Sequence, residues 1–228
     1  MSHSFQRARS FEAKEQREND ILAAARSLAA EHGIRTITLT EIADAIGMHK
    51  SALLRYFETR EQIFLVLAGQ GWQEWSGVLR DRLRRTPANN PRVVAEAFAE
   101  TLVARPLFCD LLAHTPLNLE RNASLERIRA FKLIALQEVA AIGAELTRLL
   151  GLNQSQSINV VSTATSMAGA LWQMATPGAD VANLYRKEPL LTHAIVDVEP
   201  RLASILSALI TGYRADDGST KRRPSRSR

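Results

Sequence analysis

The chain has 228 residues, 46% of them hydrophobic and 23% charged, with 11 glycines and 8 prolines; that length holds one large domain or a small one joined to a larger one, and so few helix breakers favour long helices over many short strands. A single cysteine, Cys109, excludes an internal disulfide framework and a cysteine-based zinc module. The net charge of +5 resides in the last ten residues: without Lys221, Arg222, Arg223, Arg226 and Arg228, residues 1–218 carry 24 basic against 24 acidic side chains, so any case for nucleic-acid binding must come from local patterning.

The first residues lack the apolar stretch of a secretory signal, and no apolar run approaches the roughly 20 residues a membrane span needs, so a cytoplasmic protein is expected. Residues 1–10 read as a frayed basic arm. From Phe11 to His32 the apolar residues Ile21, Leu22, Ala25, Leu28 and Ala29 recur at helical steps, and Gly33 follows as a helix stop. Residues 38–46, 49–57 and 59–85 predict three more helices. Pro87, Asn89, Asn90 and Pro91 form the clearest linker. Beyond it, helices are predicted over 91–104, 106–114, 121–150, 153–175 and 199–214, with Pro91 and Pro106 where a first turn tolerates proline. Gly151 ends one long helix, and Asn153 with Gln156 can cap the next. Residues 176–198 show no readable pattern. No convincing alternating strand is present, and the expected fold is all-α.

Residues 38–57 carry the functional signal. Thr38-Leu39-Thr40-Glu41 has the form of a capping box, in which the Thr38 hydroxyl accepts from the Glu41 amide and Glu41 reaches back. Leu39, Ile42 and Ile46 share one face of the short helix that follows. Gly47 permits a positive backbone angle in a tight turn, and Ala43 is small enough for a second helix to cross closely. Ile42, Ile46, Met48 and Leu53 make an apolar wedge, with Phe57 also inward. That leaves His49, Lys50, Ser51, Leu54 and Arg55 on the outer face of the second helix, a shape that fits the major groove.

Residues 17–64, from Arg17 through Ile21-Leu22-Ala23-Ala24-Ala25 and Gly33 to Arg55-Tyr56-Phe57-Glu58-Thr59-Arg60-Glu61, resemble the DNA-binding domain of the tetracycline-repressor family. The resemblance in motif covers about a fifth of the chain. It implies a three-helix N-terminal domain, a long connecting fourth helix, and a C-terminal helical domain that dimerises and holds a ligand. By position, it implies that Thr38 meets a phosphate, that Lys50 and Ser51 begin the recognition helix and that Tyr56 abuts the DNA backbone. Arg60 stands where a phosphate-binding lysine is usual. Two residues depart from the pattern. His49 replaces a serine, the better N-cap, and offers an imidazole toward DNA; Leu54 replaces a tyrosine, which shifts readout to thymine methyls or onto Lys50 and Arg55. The expected DNA-facing set is Thr38, Thr40, His49, Lys50, Ser51, Leu54, Arg55, Tyr56 and Arg60. Tyr56 is readable instead as a partly buried packing residue, and Thr59-Arg60-Glu61-Gln62 reads first as a capping box for the fourth helix.

The expected organisation is an arm and helix-turn-helix domain over 1–58, a ligand-binding and dimerisation domain over 59–216 and a disordered basic tail over 217–228. The tail reads as solvated chain or as a nucleic-acid arm. Phe98, Phe108, Phe131 and Trp172 are candidates to line a ligand cavity in the C-terminal helices. Small residues Ala164, Ala168 and Gly169 suggest that helices 153–175 and 199–214 form a two-fold four-helix interface. Asp110 and His114 lie four apart, as metal ligands can, but lack a third partner and read as a surface pair or a core histidine. Cys109 reads as a core residue, and no cofactor or metal is expected. The function so implied is that of a homodimeric, sequence-specific transcriptional regulator, not an enzyme, released from an inverted-repeat operator by a small apolar molecule. The alternative is a helical ligand-sequestering or interaction protein with a degenerate DNA-binding domain.

Overall fold

Helix breakers set most of the boundaries. The computed structural model describes the backbone of residues 2–220 and, residues 192 and 193 apart, the side chains of residues 12–215; the basic stretch at 221–228, expected to be a tail, lies outside the described residues. Helix α1 (Ser2–His32) contains no proline or glycine and runs through the first ten residues, where a frayed arm is predicted. Two short helices follow, α2 (Leu39–Ala45) and α3 (Lys50–Leu53), then the long α4 (Arg60–Arg84). Pro91 and Pro106 open α5 (Pro91–Val103) and α6 (Pro106–His114), and the Asn90 side chain accepts from the Val93 amide at 3.2 Å. A wide π-helical turn at Thr115–Leu119 and a 3-10 turn at Glu120–Asn122 lead into α7 (Leu125–Leu150). The Asn153–Gln156 capping box is formed at the start of α8 (Gln154–Ala175).

The unreadable stretch holds α9 (Ala179–Lys187) and a 3-10 segment at Pro189–Ala194. Helix α9 buries no residue, so no core-facing stripe marks it in the sequence. Helix α10 (Val198–Thr220) is longer than the predicted 199–214 and includes residues 217–220, which were expected in the tail. Among the described residues there are ten α-helices and no strand, so the fold is all-α.

In the C-terminal part α4 lies along α7, α5 along α10, and α6 along α8. An aromatic cluster fills the centre. Trp72 stands edge-on to Trp75 (5.5 Å, 67°) and to Phe108 (5.9 Å, 80°), and Phe98 packs on Trp75 at 5.9 Å and 72°. The Trp75 indole N–H, otherwise stranded in an apolar core, donates to Thr101 at 3.1 Å. Cys109 is fully buried with its Sγ on the Leu102 carbonyl, and burial pushes its thiol up to about 12, so it has no thiolate character at neutral pH.

The small residues of α8 correct an expectation. Ala164 and Ala168 are 0% exposed within one protomer, and Gly169 is buried beside them. A Cβ on Gly169 would stand 2.8 Å from the Ala113 backbone nitrogen. Gly169 lets α8 close on α6 of the same chain; with all three buried inside one protomer, they are not on its surface and cannot form the interface assigned to them. Periodicity identifies a small-residue face but not which neighbour it meets. Gly169→Val is therefore expected to lower stability by about 1–3 kcal/mol through overpacking, read as a lower chemical-denaturation midpoint; an unchanged midpoint would contradict the close α6–α8 approach.

Candidate nucleic-acid interface

The helix-turn-helix head, α1 to α3, is built on one well-formed turn. The Thr38 hydroxyl accepts from the Glu41 amide at 3.2 Å, while Glu41 Oε2 accepts from the Thr38 amide at 2.7 Å and from its hydroxyl at 2.8 Å. Those bonds, the hydroxyl's first, hold the Glu41 carboxyl below its ordinary range. Helix α2 ends in a Schellman arrangement: the Gly47 amide donates to the Asp44 carbonyl at 3.1 Å and the Met48 amide to that of Ala43 at 2.9 Å. Gly47 has φ +62, and a Cβ there would meet nothing within 4 Å, so the backbone angle alone requires glycine. Beneath the turn Ile42, Ala43 and Leu53 are fully buried, Phe57 nearly so, and Ile46 and Met48 half-buried. This is the expected wedge.

Helix α3 is shorter than predicted. Only Lys50–Leu53 are α-helical, and residues 54–56 continue as a turn in which the Tyr56 amide donates to the Leu53 carbonyl at 2.8 Å. His49 corrects a second expectation, since the imidazole is itself the N-cap. Its Nδ1 accepts from the Ser51 amide at 3.3 Å and lies 2.8 Å from Ser51 Oγ, so both side chains are partly engaged with each other.

The outer face is open. Thr38, Thr40, His49, Lys50, Ser51, Leu54 and Arg55 are exposed, and Tyr56 is half-buried. Leu54 keeps 42% of its surface in solvent. The side chains of Lys50 and Arg55 make no hydrogen bond or ion pair with the described residues, so the face carries two uncommitted cations. Thr38, by contrast, already uses its hydroxyl twice.

Arg60 lies elsewhere than expected. Its Nη1 donates to the carbonyls of Ile34 (2.9 Å), Arg35 (3.2 Å) and Ile37 (2.8 Å), and its Nε to Glu61 at 2.8 Å. The guanidinium clasps the turn between α1 and α2 rather than offering a free fork to a phosphate. The capping motif at 59–62 is half made: Thr59 caps the Gln62 amide at 3.2 Å, but Gln62 pairs with Glu58 instead of reaching back to Thr59.

Besides the Arg60 clasp and the packing of α1 on α4 and α6, four contacts join this head to the C-terminal helices. The Ile34 amide donates to Asp110 Oδ2 at 3.0 Å, Thr59 Oγ1 to the Asn122 carbonyl at 2.8 Å, and Arg26 Nη2 to Gln70 at 2.7 Å; the Arg127 guanidinium lies 5.3 Å from the Phe57 ring centre. Asp110 also accepts from Gln173 Nε2 at 2.8 Å, and its Oδ1 lies 3.2 Å from His114 Nδ1. Burial would raise the Asp110 carboxyl, but donors from His114, Ile34 and Gln173 outweigh it and leave the group below its ordinary value; the Asp110 hydrogen bond raises His114 against its own burial. The two residues are partners of each other, and among the described residues no group of three metal-ligating side chains forms around them.

The four proposed ligand-lining residues do not meet in one cavity. Phe98 is 0% exposed in the aromatic core and Phe131 is buried near Gly69. Phe108 walls a cleft of about 240 Å³ with Leu67, Gly71 and Leu111, between α1, α4 and α6. Half-buried Trp172 edges a separate cleft of about 610 Å³ with Ile34, Leu107, Asp110 and Gln173, between the head and α6 and α8. Aromatic content marks a core or a cavity equally, so the sequence could not sort the four. No sequence signal singled out Arg60 and Asp110 as joints, because each acts on backbone groups far along the chain.

The family model described as "Bacterial regulatory proteins, tetR family" matches residues 21–67, and the one described as "Tetracyclin repressor-like, C-terminal domain" matches residues 70–217. No curated protein matches the chain. Among solved structures it is similar to a possible TetR family transcriptional regulator from Streptomyces coelicolor A3(2), with TM-score 0.57 and 16% identity over 87% of this chain and 99% of that one. It is also similar to the fatty acid degradation regulator FadR from Bacillus halodurans (TM-score 0.54, 14% identity, 85% and 98% covered). FadR from Thermus thermophilus, a TetR family repressor solved with lauroyl-CoA, gives TM-score 0.51 and 21% identity over 78% and 95%. At such identities the likeness is one of fold.

The clasp generates a prediction. Arg60→Ala releases three backbone carbonyls, and the protein should lose about 1–3 kcal/mol of stability in denaturant unfolding. A variant as stable as the parent but weaker on DNA would restore Arg60 to the phosphate-binding set.

Proposed function

The chain belongs to the tetracycline-repressor family of DNA-binding transcriptional regulators, and on that premise we propose that it is a homodimeric repressor that reads an inverted-repeat operator and is released by a small apolar molecule. The observation that carries this reading is the outer face of α3: the Lys50 and Arg55 side chains exposed and unpaired beside exposed Leu54, over a wedge whose Ile42 and Leu53 are fully buried. The contacting set is Thr38, Thr40, Lys50, Ser51, Leu54, Arg55 and Tyr56, with the outward edge of the His49 ring; Arg60 acts behind them through the turn. Family members are regulators rather than enzymes, and among the described residues no helix is long and apolar enough to cross a membrane. We place the protein in the cytoplasm with its operator.

One head covers only a few base pairs, so two heads related by a two-fold axis read half-sites about one turn apart. The last long helices remain the proposed interface, but through their outward stripes. Helices α8 and α10 run side by side, with Asn159 Nδ2 donating to Tyr213 Oη at 3.1 Å. The exposed face of α8 presents Ser162, Ser166 and Ala170 on the side where Asn159 meets Tyr213. Side chains this small let two helix pairs approach closely as a four-helix bundle.

The effector is placed at the Phe108 cleft. A Cβ on Gly71 would stand 2.4 Å from the Phe108 ring, so the ring lies tight against α4, and a molecule displacing it pushes on the helix that starts beside the reading head. Relief of repression requires that the effector favour the wrong head spacing, with coupling of about 1–3 kcal/mol.

Selection from random duplexes should return an inverted repeat. Lys50→Ala should then weaken operator binding and reduce its salt slope by about one unit if Lys50 meets phosphate, or relax base preference if it reads guanine. A parent protein that retains no duplex in a mobility shift would sink the reading and favour the ligand-sequestering alternative. Ser166→Arg should yield monomers in sedimentation with unchanged helical circular dichroism; an intact dimer would rule out this face. An apolar effector should change Trp72 and Trp75 emission and release the operator together, and an emission change without release would overturn the coupling.

A further inference from the structure

We propose that Asp110 is a positioning residue for DNA reading: its carboxylate, reaching from α6 to the Ile34 amide, sets the angle at which each head hangs from its C-terminal domain and so the half-site spacing the dimer accepts. This rests on the reading of the protein as a DNA-binding dimer.

Three elements meet at this carboxylate. The Ile34 amide, the first after the glycine that ends α1, donates to Oδ2 at 3.0 Å across 76 positions of sequence. Gln173 of α8 donates to Oδ1 at 2.8 Å, and His114, one turn along α6, lies 3.2 Å from the same oxygen. The Asp110 side chain is only 14% exposed and Ile34 only 2%, so water competes poorly for these bonds. The arrangement is directional. Gln173 lies on the helix proposed to face the partner subunit, and Ile34 leads into α2. One carboxylate therefore connects the dimer helix to the reading head through two hydrogen bonds.

The same turn is gripped from its other side, where Arg60 takes the carbonyls of Ile34, Arg35 and Ile37. Residues 33–37 thus behave as a rigid link between α6 and α4. The remaining attachments are Thr59 on Asn122 and Arg127 over Phe57, at the start of α4 and of α7, and Arg26 on Gln70, between α1 and the middle of α4. With Asp110 released, the head keeps its own wedge and those attachments but loses the hydrogen bond that fixes the α1–α2 turn against α6. The consequence is freedom of angle, not loss of the base-reading surface.

Two measurements on the full chain test this. The first needs no DNA: amide hydrogen exchange at Ile34 in the parent, Asp110→Ala and Asp110→Asn. The alanine variant should exchange about ten- to a hundredfold faster at Ile34, the factor that a hydrogen bond to a charged acceptor confers, with the Ile42 amide unchanged. Asparagine, which keeps an acceptor and the shape, should fall between and guards against a misfolded alanine variant. An Ile34 amide unprotected in the parent, or equally protected in the alanine variant, overturns the proposal. The second compares the selected operator with one whose half-sites are moved apart by one base pair. The parent should lose about tenfold or more on respacing, and Asp110→Ala less than about threefold, with base preference within each half-site retained. Uniform weakening at every spacing would mean a merely structural role and would also overturn it. If the parent binds no duplex, the DNA-binding reading fails, and the exchange result still decides whether Asp110 holds the head.

Discussion

A five-residue turn, 33–37, is the joint on which the geometry of this protein depends. It carries little regular structure of its own, so its shape is imposed by groups that other helices bring to it. A carboxylate from α6 takes one backbone amide and a guanidinium from α4 takes three backbone carbonyls. Backbone groups in a turn need partners as much as those in a helix do. Here the partners come from the C-terminal domain and from the helix that links the domains. The position of α2 and α3 is thereby referred to α4 and α6, and a shift of either helix is felt first at the turn.

The parts of the fold that were legible in the sequence are those governed by local chemistry. Thr38 and Glu41 are three residues apart and form their box whatever surrounds them; Gly47 ends α2 because only its backbone angle matters there. Pro91 and Pro106 open helices because a first turn requires no N–H from them. Each of these signals is complete within a handful of residues. The wedge of Ile42, Leu53 and Phe57 was legible for the same reason, being a periodic pattern confined to two short helices.

What failed was information held between distant segments. The roles of Arg60 and Asp110 depend on a turn 23 to 76 positions away, and no spacing encodes that. Ala164, Ala168 and Gly169 form a small-residue face, but it is buried inside one protomer, and at Gly169 the approaching helix is α6 of the same chain. Both faces of α8 are rich in small residues, and burial, not composition, tells them apart. The aromatic residues misled in a similar way: Phe98 fills the core and Trp172 borders a cleft, although both fit the same helical pattern. His49 shows a local rule failing in the opposite direction. Serine is the usual cap, yet an imidazole nitrogen meets the same amide.

The brevity of α3 constrains how this protein can be altered. A single turn of helix cannot repay the entropy of its own nucleation; Lys50–Leu53 hold their shape only because Leu53 is sealed beneath them and Ala43 and Gly47 let the chain double back. Cut out as a peptide, or moved to a scaffold without that underlay, the segment would melt and its side chains would lose their common bearing. Retargeting such a regulator is therefore a matter of exchanging the three or four outward residues in place, on a foundation that must be kept whole.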